Sequence, residues 1–414
     1  MTMLNITVLC SVIDNYGDIG FVYRLCRRLG EISKDIKLRI VCDNLKSFAF
    51  MNSGIDPEKA EQEFNGWKIF DWNDSQLCTK EFTDEEPRFI LQCFQCRLPE
   101  WLEEILYEGK LKGSAYIINV EYLTAEEWAD GFHKLRSGTR SVQVKKSFFM
   151  PGFTKKTGGL VLDGNFRKCI GDKKFAISMA SERLKEDQKK ILSGSDYFKI
   201  LVFSYPRNFN FLVEAINSFS GFSKKKVHVF LARGISSEPF VKSCLEIGAA
   251  FEYSELPALE QEQWDAMLCS MDFNFIRGED SFSRACLSGI PFVWHVYVQD
   301  EEFQLVKLNA FLERIRPFFN AGHFEDYKKF CFLYNRTFPV EPGDEACQAI
   351  ATIKSSLPAD EGSAGEEMSS LAAKLLLGAE RERERESFEK ASAEFLENGD
   401  LAENLLEFIN TLQV

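Results

Sequence analysis

Short, nearly uninterrupted apolar runs alternate along this chain with stretches in which apolar residues return every three or four positions, and the alternation occurs twice. In the first series, Leu4–Cys10, Lys37–Cys42, Arg88–Cys93 and Ala115–Val120 are short and rich in Ile, Val, Leu and Phe. Such runs predict strands of a sheet buried on both faces. Between them, Phe21–Ile32 and Pro99–Tyr107 predict helices. In the former, Val22, Leu25, Leu29 and Ile32 form one stripe and Arg24, Arg27 and Arg28 lie elsewhere around it. The second series predicts strands at Phe198–Ser204, Lys226–Ala232, Ala250–Tyr253, Met271–Ile276 and Pro291–Tyr297. Helical spacing separates them near Phe209–Ser218, Pro239–Leu245, Gln263–Ser270 and Phe282–Ser288.

Two successive β-α-β-α series predict an α/β protein with two facing Rossmann-like domains and an active site in the cleft between them. The expected domains are 1–170, 171–357 and a tail, 358–414, that packs back on the body. Phe148–Leu160, rich in Gly, Pro and Thr, reads as a turn-filled connection between the halves. Leu357–Glu367, with Pro358, Gly362 and Gly365, reads as a polar linker. The alternating charges of Glu380–Glu386 read as a solvated helix face, and Asp400–Ile409 as an amphipathic helix docked on the body.

A length of 414 residues accommodates two such domains. The net charge of −13 disfavours nucleic acid, whose phosphates it would repel. It suits a basic protein partner, or serves solubility alone. The start of the chain reads as a buried strand rather than a signal peptide, and no apolar run has the length of a membrane helix. The expectation is a cytoplasmic protein that does not engage membranes. The 12 cysteines are scattered, mostly within apolar segments, as buried free thiols are. The one close pair, Cys93 and Cys96, lacks the second pair that a zinc site requires. His133, His228, His295 and His323 have no ligand spacing, so no metal site is expected.

Two segments carry candidate chemistry. Ser11–Gly20 follows the first strand and opens the first helix, with Asp14 and Asp18 four residues apart and Gly17 and Gly20 permitting a tight turn. One aspartate there would simply cap the helix; two, flanking Asn15, Tyr16 and Gly17, point to a site. In Met271–Ala285 a strand ends at Ile276 and a helix begins near Ser281, a residue suited to the N-cap. Free amides at such a start hold anions. Glu279 and Asp280 at the same end suit sugar hydroxyls, and Arg277 a phosphate or one of these acids. The structural alternative is a capped helix with an Arg–Glu pair. Tyr205 and Gln261 are lesser candidates, for a phosphate and a pyrimidine edge.

Together these segments resemble the protein-arginine rhamnosyltransferases that modify bacterial elongation factor P. The resemblance rests on Val12–Gly20, Glu121–Glu126, Phe149–Thr154 with Thr157–Leu160, and Phe275–Phe282. It continues through Pro291–Trp294 with Tyr297 and Gln299, Lys307, Ala310–Leu312 and Gly399–Ala402, so it spans most of the chain. It implies a GT-B fold, with an acceptor-side first domain and a donor-side second. It also implies a dTDP-β-L-rhamnose donor and inverting, metal-independent transfer to an arginine of elongation factor P, which supports that factor in relieving ribosome stalling at polyproline. Asp14, Asp18 and Glu279 would correspond to the required acids. Asn15, Tyr16, Gly17, Tyr205, Gln261, Arg277, Gly278, Glu279, Asp280 and Ser281 would form the donor site. Where the family carries an aromatic ahead of the glutamine this chain has Ala258, leaving Phe251 or Tyr253 to stack on the base. The charge run Glu380–Glu386 looks like an addition. Two other readings use the same fold: a nucleotide-sugar epimerase, and a nucleotide-sugar-binding protein without activity.

Overall fold

A computed structural model describes residues 3–13, 17–299, 302–336, 348–358, 360–381 and 383–412. The chain forms two compact units, Met1–Asp163 with Phe395–Val414, and Gly164–Glu394. The first division lies a little before the expected boundary at 170, and the tail that was expected as one piece is shared between the units.

The first unit holds an eight-stranded sheet. Its six parallel strands lie in the order Trp67–Asp71, Ile36–Cys42, Leu4–Cys10, Phe89–Cys93, Ala115–Val120 and Val144–Phe149. In chain order of the parallel strands this is 3-2-1-4-5-6, the doubly wound arrangement of dinucleotide-binding folds. Short antiparallel strands, Glu61–Phe64 and Arg136–Ser137, close the two edges. Each face carries its own apolar core. On one, Val22, Leu25 and Leu29 of the helix Gly17–Ile32 meet Ile6, Val8, Ile40 and Leu91. On the other, Phe82, Trp101 and Ile105 meet Leu9, Val41, Ile90 and Ile117. The expected apolar stripe is thus the buried one. Strand Val144–Phe149, whose apolar run Lys145 and Lys146 interrupt, was not singled out from sequence, and its last two residues fall within the expected connection Phe148–Leu160.

The chain returns to this unit at its end. Helix Leu401–Thr411 adds Leu401, Ala402, Leu405, Phe408 and Ile409 to the first core. Its N-cap, Asp400, is fully buried. The carboxylate accepts from Leu162 N at 3.0 Å and from Arg28 Nε at 2.6 Å. Burial raises its pKa, against the pull of Arg28. Gly159 lies beside this junction with φ +78°, and a Cβ there would sit 2.8 Å from the Gly399 carbonyl. Glycine serves both the conformation and the close approach.

The second unit carries a five-stranded parallel sheet, in the order Glu252–Glu255, Lys226–Leu231, Tyr197–Val202, Phe273–Arg277 and Phe292–His295. In chain order this is 3-2-1-4-5. Residues Glu361–Glu380, whose start was expected to be linker, form a helix. Asp360 caps it by accepting from Ser363 N at 2.8 Å, and Ala364, Met368, Leu371 and Leu375 are buried. A good cap and a buried stripe outweigh the roughly 1 kcal/mol that each of Gly362 and Gly365 costs a helix. The charge run enters the helix Arg383–Leu396, where Arg385–Glu389 and Lys390–Glu386 pair one turn apart.

Candidate functional site

In open α/β sheets, ligands bind beyond the carboxyl ends of the strands where the strand order reverses. In the first unit that point lies between Leu4–Cys10 and Phe89–Cys93. The segment after Leu4–Cys10 is tied down from two sides. Ser11 Oγ donates to Asp43 Oδ2 at 2.5 Å, and Val12 N to Asp43 Oδ1 at 2.9 Å. Asp18 then stands in the first turn of the helix Gly17–Ile32, 2% exposed. Its Oδ2 accepts from Ile13 N at 2.7 Å, and its Oδ1 from the Tyr122 hydroxyl at 3.2 Å. A carboxylate buried here is supported by the positive end of the helix as well as by these donors. Gly17 is the first residue of the helix. Asp14, Asn15 and Tyr16 lie outside the described residues.

Tyr122 was not singled out from sequence, although it lies within Glu121–Glu126. Its ring stacks on Phe94 at 4.3 Å between centroids and 18° between planes. Phe94 and Gln95 both have positive φ, 59° and 51°, a conformation that costs non-glycine residues of order 1 kcal/mol each. The Gln95 amide donates to Glu121 at 2.7 Å, and the Asn119 amide donates to the same carboxylate. Burial raises the Glu121 pKa.

In the second unit the reversal lies between Tyr197–Val202 and Phe273–Arg277, and the sequence-derived residues of this half gather there. Tyr205 follows the first of these strands. The Arg277 guanidinium ends the second and lies over two rings, 4.8 Å from Tyr205 and 4.7 Å from Phe203. Gly278 turns the chain with φ +74°, and nothing stands within 4 Å of where a Cβ would be, so conformation rather than space demands glycine. The helix begins at Glu279, not near Ser281 as expected from capping preference. The left-handed turn at Gly278 starts it two residues earlier, leaving Glu279 and Asp280 in the first turn. Ser281 Oγ instead accepts from Trp264 Nε1 at 3.0 Å. Gln261, at the start of the helix Gln261–Ser270, reaches Asp280 Oδ2 at 3.4 Å. Glu279 is ion-paired with Lys307 from helix Gln304–Ile315.

Ala258, where an aromatic stacker was expected, is exposed, and the substitutes Phe251 and Tyr253 are half-buried, just before and within the edge strand Glu252–Glu255. Sequence reasoning also passed over Lys307 as a partner of Glu279, and the buried set Ser204, His295 and Tyr334. Their signal was positional: Ser204 follows Tyr197–Val202 and His295 ends Phe292–His295, the two strands that flank Phe273–Arg277.

The arrangement in this unit offers an anion a helix start, a guanidinium and neutral donors, with carboxylates ready to accept from hydroxyls. In the first unit, Asp18 is a fixed, oriented acceptor.

Similarity to known proteins agrees with this arrangement. A family model described as Elongation-Factor P (EF-P) rhamnosyltransferase EarP matches residues 6–410. A protein-arginine rhamnosyltransferase of Shewanella oneidensis is 31% identical, the match covering 74% of this chain and 79% of that protein. One of Pseudomonas putida is 31% identical over 75% and 81% of the two chains, and one of Neisseria meningitidis 28% over 75% and 79%. A solved structure that addresses EarP-mediated arginine glycosylation of translation elongation factor EF-P shares the fold, with TM-score 0.52 and 21% identity over 99% of each chain. The α/β, GT-B class expected from the sequence is therefore borne out, as is the expected enzyme class. This chain belongs to the Elongation-Factor P (EF-P) rhamnosyltransferase EarP family of protein-arginine glycosyltransferases.

Proposed function

We propose that this enzyme transfers L-rhamnose from dTDP-β-L-rhamnose to an arginine of elongation factor P, in the cytoplasm, with inversion and without a metal ion. The observation that best supports the donor assignment is the gathering of Tyr205, Gln261 and Arg277–Ser281 at one reversal point. That constellation suits a nucleoside diphosphate-sugar. The acceptor assignment draws on the family's description and on the EF-P relationship of the solved relative. The acidic balance of the chain, −13, suits a basic acceptor surface.

In this reading, the acceptor guanidinium, whose pKa exceeds about 12, is not deprotonated before reaction. Asp18 and Asp14 hold it and aim one nitrogen at the anomeric carbon. The C–N bond forms as the C–O bond to the diphosphate breaks, and the guanidinium proton passes to Asp18. Glu279 holds the sugar or stabilises positive charge at its anomeric centre. The departing dTDP keeps the bonding electrons, and Arg277, the amides at the Glu279–Ser288 helix start and Tyr205 take up its charge. Mass spectrometry of elongation factor P incubated with enzyme and dTDP-rhamnose tests this. A gain of one deoxyhexose on an arginine is expected. Release of dTDP with no modified acceptor would refute it and favour the epimerase alternative.

A further inference from the structure

Behind Tyr205 lies a buried polar chain that the proposed chemistry does not use. Ser204 is fully buried, and its Oγ stands 2.7 Å from His295 Nδ1 and 2.8 Å from Tyr334 Oη. Tyr334 is itself fully buried. Donor counting orders this chain. A buried phenol must place its proton on an acceptor, and the one found for it is Ser204 Oγ. Ser204, having accepted from Tyr334, gives its own proton to His295 Nδ1. The imidazole proton is thereby assigned to Nε2. The reverse order would strand the Tyr334 hydroxyl proton in the interior.

The surroundings favour the neutral ring. Arg277 is the register partner of His295 on the adjoining strand. The Arg207 guanidinium lies over the Tyr334 ring at 4.5 Å. Burial, and then these two cations, hold the His295 pKa well below its ordinary value. The ring also meets Tyr205 edge-on, 5.2 Å between centroids and 86° between planes, and Tyr297 packs on the same Tyr205 at 5.9 Å. His295 therefore contacts the donor-site tyrosine directly and holds the residue before it through Ser204.

We propose that His295 is a positioning residue of the donor site: a neutral, Nε2-protonated imidazole, locked by the Tyr334–Ser204 chain, that fixes Tyr205 next to Arg277. A protonated ring would add a third positive charge beside Arg277 and Arg207 and break the acceptor role toward Ser204. This inference rests on reading Tyr205 and Arg277 as donor ligands.

The test has two arms on the full chain. Nitrogen-15 histidine spectra report the tautomer directly. The wild type is expected to show the Nε2–H form of His295, unchanged between about pH 6 and 8. Tyr334→Phe, which keeps the ring, is expected to leave the Nε2–H form in place, because His295 Nδ1 is then the acceptor left for the Ser204 hydroxyl proton. An imidazolium signal, or an Nδ1–H form in either protein, would overturn the assignment. In kinetics, Ser204→Ala is expected to raise the donor KM about tenfold with kcat little changed, and Ser204→Thr to recover most of the loss. Unchanged donor KM in the alanine variant, at wild-type melting temperature, would overturn the positioning role. If the wild type neither binds nor turns over dTDP-rhamnose, the donor reading has failed, and the spectra still decide the hydrogen-bond order.

Discussion

Tyr122→Phe isolates one hydrogen bond at the proposed base. The variant keeps the ring, so the stack on Phe94, 4.3 Å between centroids, survives. It loses only the hydroxyl that donates to Asp18 Oδ1 at 3.2 Å. Hydrogen bonds to charged acceptors contribute about 1.5–3 kcal/mol, and a bond of this length falls at the lower end. Asp18 keeps the Ile13 amide at 2.7 Å on its other oxygen, so the carboxylate stays in place but gains freedom. A loss of about 1.5 kcal/mol of transition-state stabilisation corresponds to roughly tenfold in kcat. Neither substrate KM should move much, since the hydroxyl acts through Asp18. The assay is steady-state transfer with both substrates varied, alongside a melting curve. Wild-type kcat at an unchanged melting temperature would show that Tyr122 does not serve Asp18, and would weaken the case for Asp18 as the reacting carboxylate.

Asp18→Asn should lower kcat by roughly 10²–10⁴; near-normal turnover in the transfer assay would remove it as base. Lys307→Met leaves Glu279 without its ion pair; for a partly exposed pair worth up to about 1 kcal/mol, the donor KM should rise roughly fivefold, and an unchanged KM would make the pair incidental. Arg28→Met strands the buried Asp400 carboxylate and should cost about 3 kcal/mol in denaturant titrations at neutral pH. Because burial already holds the folded Asp400 pKa above its unfolded value, this acid favours folding at low pH and loses that contribution as pH rises through the folded pKa. The Arg28→Met deficit should therefore shrink as pH falls into the raised titration range of Asp400; a deficit independent of pH would contradict this. Full transfer activity in excess chelator is expected, and a loss reversed by added divalent cation would refute metal independence.

Apolar patterning located the strands well where burial is two-sided. Leu4–Cys10 and Ala115–Val120 match at both ends, because no charged residue interrupts either run. Patterning failed where a strand carries charge, as at Lys145 and Lys146, and at edges such as Glu61–Phe64, whose outer face meets solvent. The helix start at Glu279 was misplaced because side-chain capping preference was weighed and a left-handed glycine was not. The candidates of the second unit could be named because they sit where strands end. Tyr122, Lys307 and His295 act through contacts between residues distant in the chain, such as Ser204 with His295 and with Tyr334, and no local spacing encodes such contacts.

The last helix completes a core that the first strands begin, and this bears on the order of events during synthesis. Residues 164–394 must be made before Leu401, Leu405, Phe408 and Ile409 become available to the N-terminal half. At bacterial translation rates the nascent first half waits on the order of tens of seconds with part of its apolar surface unsealed. The second unit has no such debt and can fold while still tethered to the ribosome. Sealing of the first unit is thus coupled to synthesis of Leu401–Thr411, so a chain interrupted before that helix keeps part of the first core open.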